Sequence, residues 1–157
     1  EWTLPPQLLA AARTRLECPT PRIALGLALR GIAHSAADVS DGLAGDLGHI
    51  LRASAVGACL DAQETMKTIA AGAFSASAAG LFDRQTLLRL ALTGGDDYEL
   101  VFTAPPDARS AVQAAGQASA TPLARIGRIE AEPGLRLLGA DGRIEPLAAR
   151  AFDHFAP

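Results

Sequence analysis

Ser35-Ala36-Ala37-Asp38-Val39-Ser40-Asp41-Gly42-Leu43-Ala44-Gly45-Asp46-Leu47-Gly48-His49-Ile50-Leu51 divides at a polar turn halfway along. Residues 35–39 are short and lead into a turn, which predicts a strand. Ser40 or Asp41 is then placed to cap a helix running to about Ala55. Leu43, Leu47, Ile50, Leu51 and Ser54 form the inward stripe of that helix. Gly57 reads as its stop, and 57–61 as the next strand. A strand, a polar turn and an amphipathic helix in this order mark a chain that mixes the two element types.

Upstream, Leu8, Leu9, Ala12 and Leu16 recur at helical spacing over 4–16. Cys18-Pro19-Thr20-Pro21 breaks that helix, and 23–32 reads as a second one. Downstream, 63–82 is rich in Ala, Ser and Gly and carries only weak helix and loop character. Asp83 caps a helix bearing Leu87, Leu90 and Ala91, which Gly94-Gly95 ends. Over 98–103, Tyr98, Leu100 and Phe102 alternate with Glu99, Val101 and Thr103, the period of a strand. Pro105-Pro106-Asp107 opens an Ala-rich helix to about Ala115. Strands follow over 123–129 and 135–138, and Asp141-Gly142 turns the chain into a last strand over 143–147. The order predicts an α+β domain in which helices pack on a mixed, mostly antiparallel sheet. Residues 148–157 read as an irregular tail.

The chain has 157 residues, enough for one domain, and 49% of them are hydrophobic, so a proper core can form. A net charge of −3 and the lack of a basic stripe argue against nucleic acid as a partner. No apolar run reaches the roughly 20 residues that cross a bilayer, so no membrane role is expected. The opening Glu1-Trp2-Thr3-Leu4-Pro5-Pro6 resembles mid-chain sequence, and a longer polypeptide is expected. Cys18 and Cys59 form no metal-type pair and read as buried free thiols in a reducing cytoplasm.

Three short motifs can carry chemistry. In Asp38-Val39-Ser40-Asp41-Gly42, two carboxylates and a hydroxyl gather at a strand-to-helix turn. Such hard oxygens suit Mg²⁺, and the helix start offers N–H groups to an anion. Gly42 lets a ligand approach the backbone. The plain alternative, a cap with a solvated Asp, explains Ser40 or Asp41 but not both together with Asp38. Asp46, one turn on, reads as a surface residue. Gly94-Gly95-Asp96-Asp97 lacks the Lys of a P-loop and has the reverse element order; its alternative reading is a helix stop and turn. Phe152-Asp153-His154-Phe155 puts two aromatics at the end of a chain with only 4% aromatics, so the tail either contributes to a site or docks on the core. His34 and His49 are isolated, and no catalytic nucleophile-and-base arrangement is legible.

Taken together, Asp38 to Leu43 with Asp46-Leu47-Gly48-His49-Ile50-Leu51, then 92–102, then Arg125-Ile126-Gly127, then the tail resemble the thiamine-monophosphate kinase family. The resemblance runs from about Ile23 to the end. It implies a C-terminal α+β domain like that of aminoimidazole ribonucleotide synthetase, joined in the family to an N-terminal ATP-binding domain that this chain lacks. It implies an ATP- and Mg²⁺-dependent kinase that phosphorylates thiamine monophosphate to thiamine diphosphate, cytoplasmic, and a homodimer when full-length. Asp38 and Asp41 match magnesium-binding positions, and Ser40 matches an ATP-contacting position. Asp96 and Phe152 match positions that contact the substrate. The family usually has Glu at Asp96 and Gly at Ala151, and its segment matching 63–82 is shorter. The alternatives are a related synthetase of the same superfamily, or a non-catalytic binding module that keeps the fold.

Overall fold

The structure, a computed structural model, describes residues 5–70 and 82–147. The elements are α1 (Pro6–Glu17), α2 (Ile23–Ala28), β1 (Ser35–Val39), α3 (Leu43–Ser54), β2 (Gly57–Asp61), α4 (Ala62–Ala70), α5 (Arg84–Thr93), β3 (Glu99–Thr103), a 3₁₀ turn (Pro106–Ala108), α6 (Arg109–Ala118), β4 (Gly127–Glu130), β5 (Gly134–Leu138) and β6 (Ile144–Leu147). The α+β class expected from the sequence is the one observed. The described strands divide between two sheets. β1 and β3 pair antiparallel, with Ser35 opposite Thr103 and Val39 opposite Glu99. The second sheet has the order β4-β2-β5-β6, in which only β2 and β5 run parallel.

Helix α3 joins the two sheets. Leu43, Ala44, Gly45, Asp46, Leu47, Gly48, Ile50 and Leu51 are all buried on it, so it is covered around most of its circumference. Its small residues let β1, β3, β5 and α5 pack close. The main core gathers Val39, Leu43, Leu47, Leu51, Leu60, Leu92, Val101 and Leu135. A second core lies on the other face of β1–β3, where Leu25 and Leu29 meet Ala115 with Leu100 and Phe102 packed against them. The alternation read over 98–103 thus holds, with Val101 facing one core and Leu100 and Phe102 the other.

Some local expectations are corrected. The residue at the N-cap position of α3 is Gly42, at φ 112, rather than Ser40 or Asp41. The helix ends at Ala55, which takes the left-handed conformation at φ 54, rather than at Gly57. Gly57 instead opens β2, where a Cβ would collide with the carbonyls of Glu132 and Gly134. The strand read over 123–129 begins only at Gly127. Of the two thiols, Cys59 is buried and Cys18 is exposed. Leu9 and Leu16 of α1 face solvent, leaving Leu8 as its buried anchor. Other local readings hold. Asp83 caps α5 by accepting the Thr86 N–H at 2.7 Å. In the last hairpin Gly142 has φ 80 and Asp141 accepts the Arg143 N–H at 3.0 Å. No described helix is long and apolar enough to cross a membrane.

Candidate functional site

The turn at 38–42 leaves the end of β1 beside the start of β3, so the antiparallel pairing brings two sequence motifs together. Asp38 is exposed and stands opposite Leu100 in the ladder. Ser40 and Asp41 are half-buried. Beyond the ladder, the Tyr98 N–H donates to the Val39 carbonyl at 2.9 Å and the Asp96 N–H donates to the Ser40 carbonyl at 2.8 Å. These bonds join the Asp38–Asp41 turn to the Gly94–Tyr98 loop.

Two glycines permit that approach. A Cβ on Gly95 would stand 2.8 Å from the Ser40 oxygen. A Cβ on Gly42 would stand 3.0 Å from Thr93 Cα, on a backbone whose φ already disfavours a side chain. Gly94 does not end α5 with a left-handed turn, since its φ is −70 and ψ 132. The left-handed residues come later, Asp96 at φ 63 and Tyr98 at φ 52. Asp tolerates that region; a bulky Tyr rarely occupies it, and such strain collects at functional positions. The Tyr98 hydroxyl donates to Asp96 Oδ1 at 3.0 Å, a bond that raises the tyrosine pKa.

Sequence reasoning placed Asp46 at the surface; it is in fact 7% exposed. Its Oδ2 accepts the N–H groups of Ser40 at 3.0 Å and Asp41 at 3.2 Å. Those two donors are spent on a carboxylate within the chain. The signal was present in sequence: an acid in the first helical turn that reaches back to preceding amides resembles a capping box. Position 46 also falls between Leu43 and Ile50 on the buried side of α3.

Glu99 was likewise missed. It accepts Arg22 Nε and Nη2, both at 2.7 Å, and also pairs with Arg15. Burial opposes its ionisation, but hydrogen bonds from Arg22 and Arg15 prevail and hold its pKa below the usual carboxylate range. Pro19, Pro21, Arg22, Asp38, Tyr98, Glu99 and Leu100 line a hollow of about 240 Å³ next to the turn. Water reaches Asp97, yet protein crowds its carboxyl. Desolvation and then the Glu99 charge push its pKa up to about 6, with Arg15 opposing and Asp96 adding.

Asp38, Ser40, Asp41 and Asp96 thus share one neighbourhood, while Phe152 lies outside the described residues. His34 and His49 are exposed, and His49 Nδ1 meets Arg52 Nη2 at 2.9 Å. Among the described residues no three His, Cys, Asp or Glu side chains form a ready metal cage. The available set is acidic oxygens on one turn, which suits a hard cation that completes its shell from phosphate and water.

A profile of the family described as AIR synthase related protein, C-terminal domain, matches residues 10–139, and the chain belongs to that family. Within it, the chain is similar to thiamine-monophosphate kinases. It is 42% identical to that of Escherichia coli over 139 residues, 88% of this chain and 40% of that protein. The crystal structure of thiamine-monophosphate kinase from Stenotrophomonas maltophilia superposes with a TM-score of 0.71 at 44% identity, covering 89% of this chain and 42% of that one. AaThiL complexed with AMPPCP and TMP shares the fold, with a TM-score of 0.63 at 23% identity over 99% of this chain and 44% of that one. The chain therefore spans less than half the length of these relatives.

Proposed function

We propose that this chain is the C-terminal domain of an ATP- and Mg²⁺-dependent kinase that converts thiamine monophosphate to thiamine diphosphate. The observation that carries the reading is the Ser40–Asp96 junction, which puts the carboxylate turn and the Gly94–Tyr98 loop side by side. The 42% identity to a thiamine-monophosphate kinase supports the same substrate pair. In this reading Asp38 and Asp41 hold Mg²⁺, Ser40 contacts ATP, and Asp96 and Phe152 face thiamine monophosphate. An N-terminal ATP-binding domain in the same polypeptide supplies the rest of the nucleotide site. The full-length protein is a cytoplasmic homodimer.

In the reaction an acceptor phosphate oxygen forms a bond to the γ-phosphorus of ATP, the bond from that phosphorus to the bridging oxygen breaks, and ADP leaves. A phosphate monoester has its second pKa near 6 and is largely dianionic at pH 7. It needs no general base, in keeping with a site whose described residues place no histidine beside the turn. Bound magnesium supplies neutralisation of the phosphate charge and alignment of the transfer. The turn's part is to present Asp38 and Asp41 on a fixed backbone. Asp96, exposed and anionic, suits the cationic thiazolium ring, and an aromatic such as Phe152 suits its face. The test is ATP- and Mg²⁺-dependent formation of thiamine diphosphate by the folded full-length protein; no product under saturating substrates would remove the reading.

A further inference from the structure

We infer that Asp46 is a positioning residue: its buried carboxylate sets the backbone of the Asp38–Asp41 turn and, through the Ser40 peptide, ties that turn to the Asp96 loop. The inference rests on the kinase reading above for its effect on rate, but its geometry stands alone. One oxygen of Asp46 takes both the Ser40 and the Asp41 N–H, at 3.0 and 3.2 Å. On the far side of Ser40, its carbonyl takes the Asp96 N–H at 2.8 Å. The order is therefore Asp46 carboxylate, Ser40 N–H, Ser40 carbonyl, Asp96 N–H. Both ends of one residue between the two proposed magnesium ligands are fixed, one from α3 and one from the loop before β3.

A carboxylate accepting amide hydrogens makes stronger bonds than a neutral acceptor. At 7% exposure, water competes little for these two donors. Leu43 and Leu47 beside Asp46 are core residues at 8% and 3% exposure, so the helix that carries the carboxylate is itself anchored. Gly42, between the turn and α3, has φ 112, which bends the chain so that a helix residue can face the amides before it.

The experiment uses the full-length protein with Asp46→Ala and Asp46→Asn. Amide hydrogen exchange at Ser40 and Asp41 is measured first, because it needs no activity. Exchange should speed up at least tenfold in Asp46→Ala and less than about threefold in Asp46→Asn, whose amide oxygen can still accept. Steady-state kinetics follow. In Asp46→Ala the Mg²⁺ concentration for half-maximal rate should rise about tenfold and kcat should fall at least tenfold, with Asp46→Asn close to wild type. Unchanged exchange in a folded Asp46→Ala protein overturns the inference whatever the substrate. Faster exchange with unchanged kcat and Mg²⁺ dependence overturns the claim that the turn's geometry serves the reaction. If Asp46→Ala does not fold, a folded Asp46→Asn protein that loses amide protection overturns it instead. A wild-type protein that makes no thiamine diphosphate, with exchange behaving as stated, removes the kinase reading and leaves the positioning intact.

Discussion

The Asp96 N–H donates to the Ser40 carbonyl at 2.8 Å, and this bond holds two acidic segments against each other across the end of an antiparallel strand pair. In the kinase reading, that bond sets the segment bearing the proposed Mg²⁺ ligands beside the segment bearing the proposed substrate contact.

Asp41→Asn in the full-length protein should lower kcat by about 10² or more with little change in melting temperature. A lost ligand charge removes stabilisation of the transition state. The fold should survive because Gly42, not Asp41, occupies the N-cap of α3. Kinetics at limiting magnesium beside a melting curve decide the matter; a wild-type kcat would return Asp41 to a structural role.

Gly95→Ala should cost roughly 1–3 kcal/mol of stability and also slow turnover, because the added methyl meets the Ser40 oxygen at 2.8 Å and forces the loop away. Gly142→Ala is the control. At φ 80 with open space around it, it should cost about 1 kcal/mol through backbone strain and leave kinetics untouched. Denaturant unfolding with steady-state assays compares the two; equal kinetics for both variants would contradict the junction's role.

Asp97 binds its proton more tightly in the folded protein, with its pKa pushed up to about 6 from an ordinary 3.8. The folded state therefore holds more protons between those values, and this group's contribution falls as pH rises from about 4 through 6. Asp97→Asn should match wild-type stability below pH 4 and exceed it above pH 6. The gain should be about 1 kcal/mol, well below the full shift, because water reaches the side chain. Melting curves from pH 4 to 8 check the crossing; parallel curves would rule it out.

Arg22→Ala should destabilise more than Arg15→Ala. Arg22 is 18% exposed and gives Glu99 two hydrogen bonds, whereas Arg15 is 49% exposed. Losses of roughly 1–3 and 0–1 kcal/mol follow. Because the folded pKa of Glu99 is lowered, its stabilisation is present above the ordinary carboxylate pKa and is lost as pH falls through the folded value. A double-mutant cycle with Glu99→Gln at pH 7 and at acidic pH measures both effects, and no coupling at pH 7 would exclude the pair.

Phe152→Ala in the full-length protein should raise the KM for thiamine monophosphate by roughly 2- to 30-fold, the loss of a ring stacked on a cation, and leave that for ATP nearly unchanged. An unaltered KM with a large fall in melting temperature would make Phe152 a plug that holds the tail on the core.

The sequence by itself determined the local elements. The strand, turn and helix within 35–51, the Asp83 cap, the alternation after Tyr98 and the Asp141-Gly142 turn depend on neighbours a few residues apart, and each is present in the structure. It also marked Asp38, Ser40, Asp41 and Asp96 as residues of interest, because acidic side chains beside glycines at element ends have little structural reason to cluster. Only the tertiary structure decided that these two motifs meet. Strand register is set by which apolar face of β1 and β3 meets α3 and which meets α2 and α6, and that choice involves residues distant in the chain. The same holds for Arg22 and Glu99, which lie 77 positions apart. Asp46 shows the limit most plainly: its polarity placed it at the surface, and packing around α3 buried it where two backbone amides make burial tolerable.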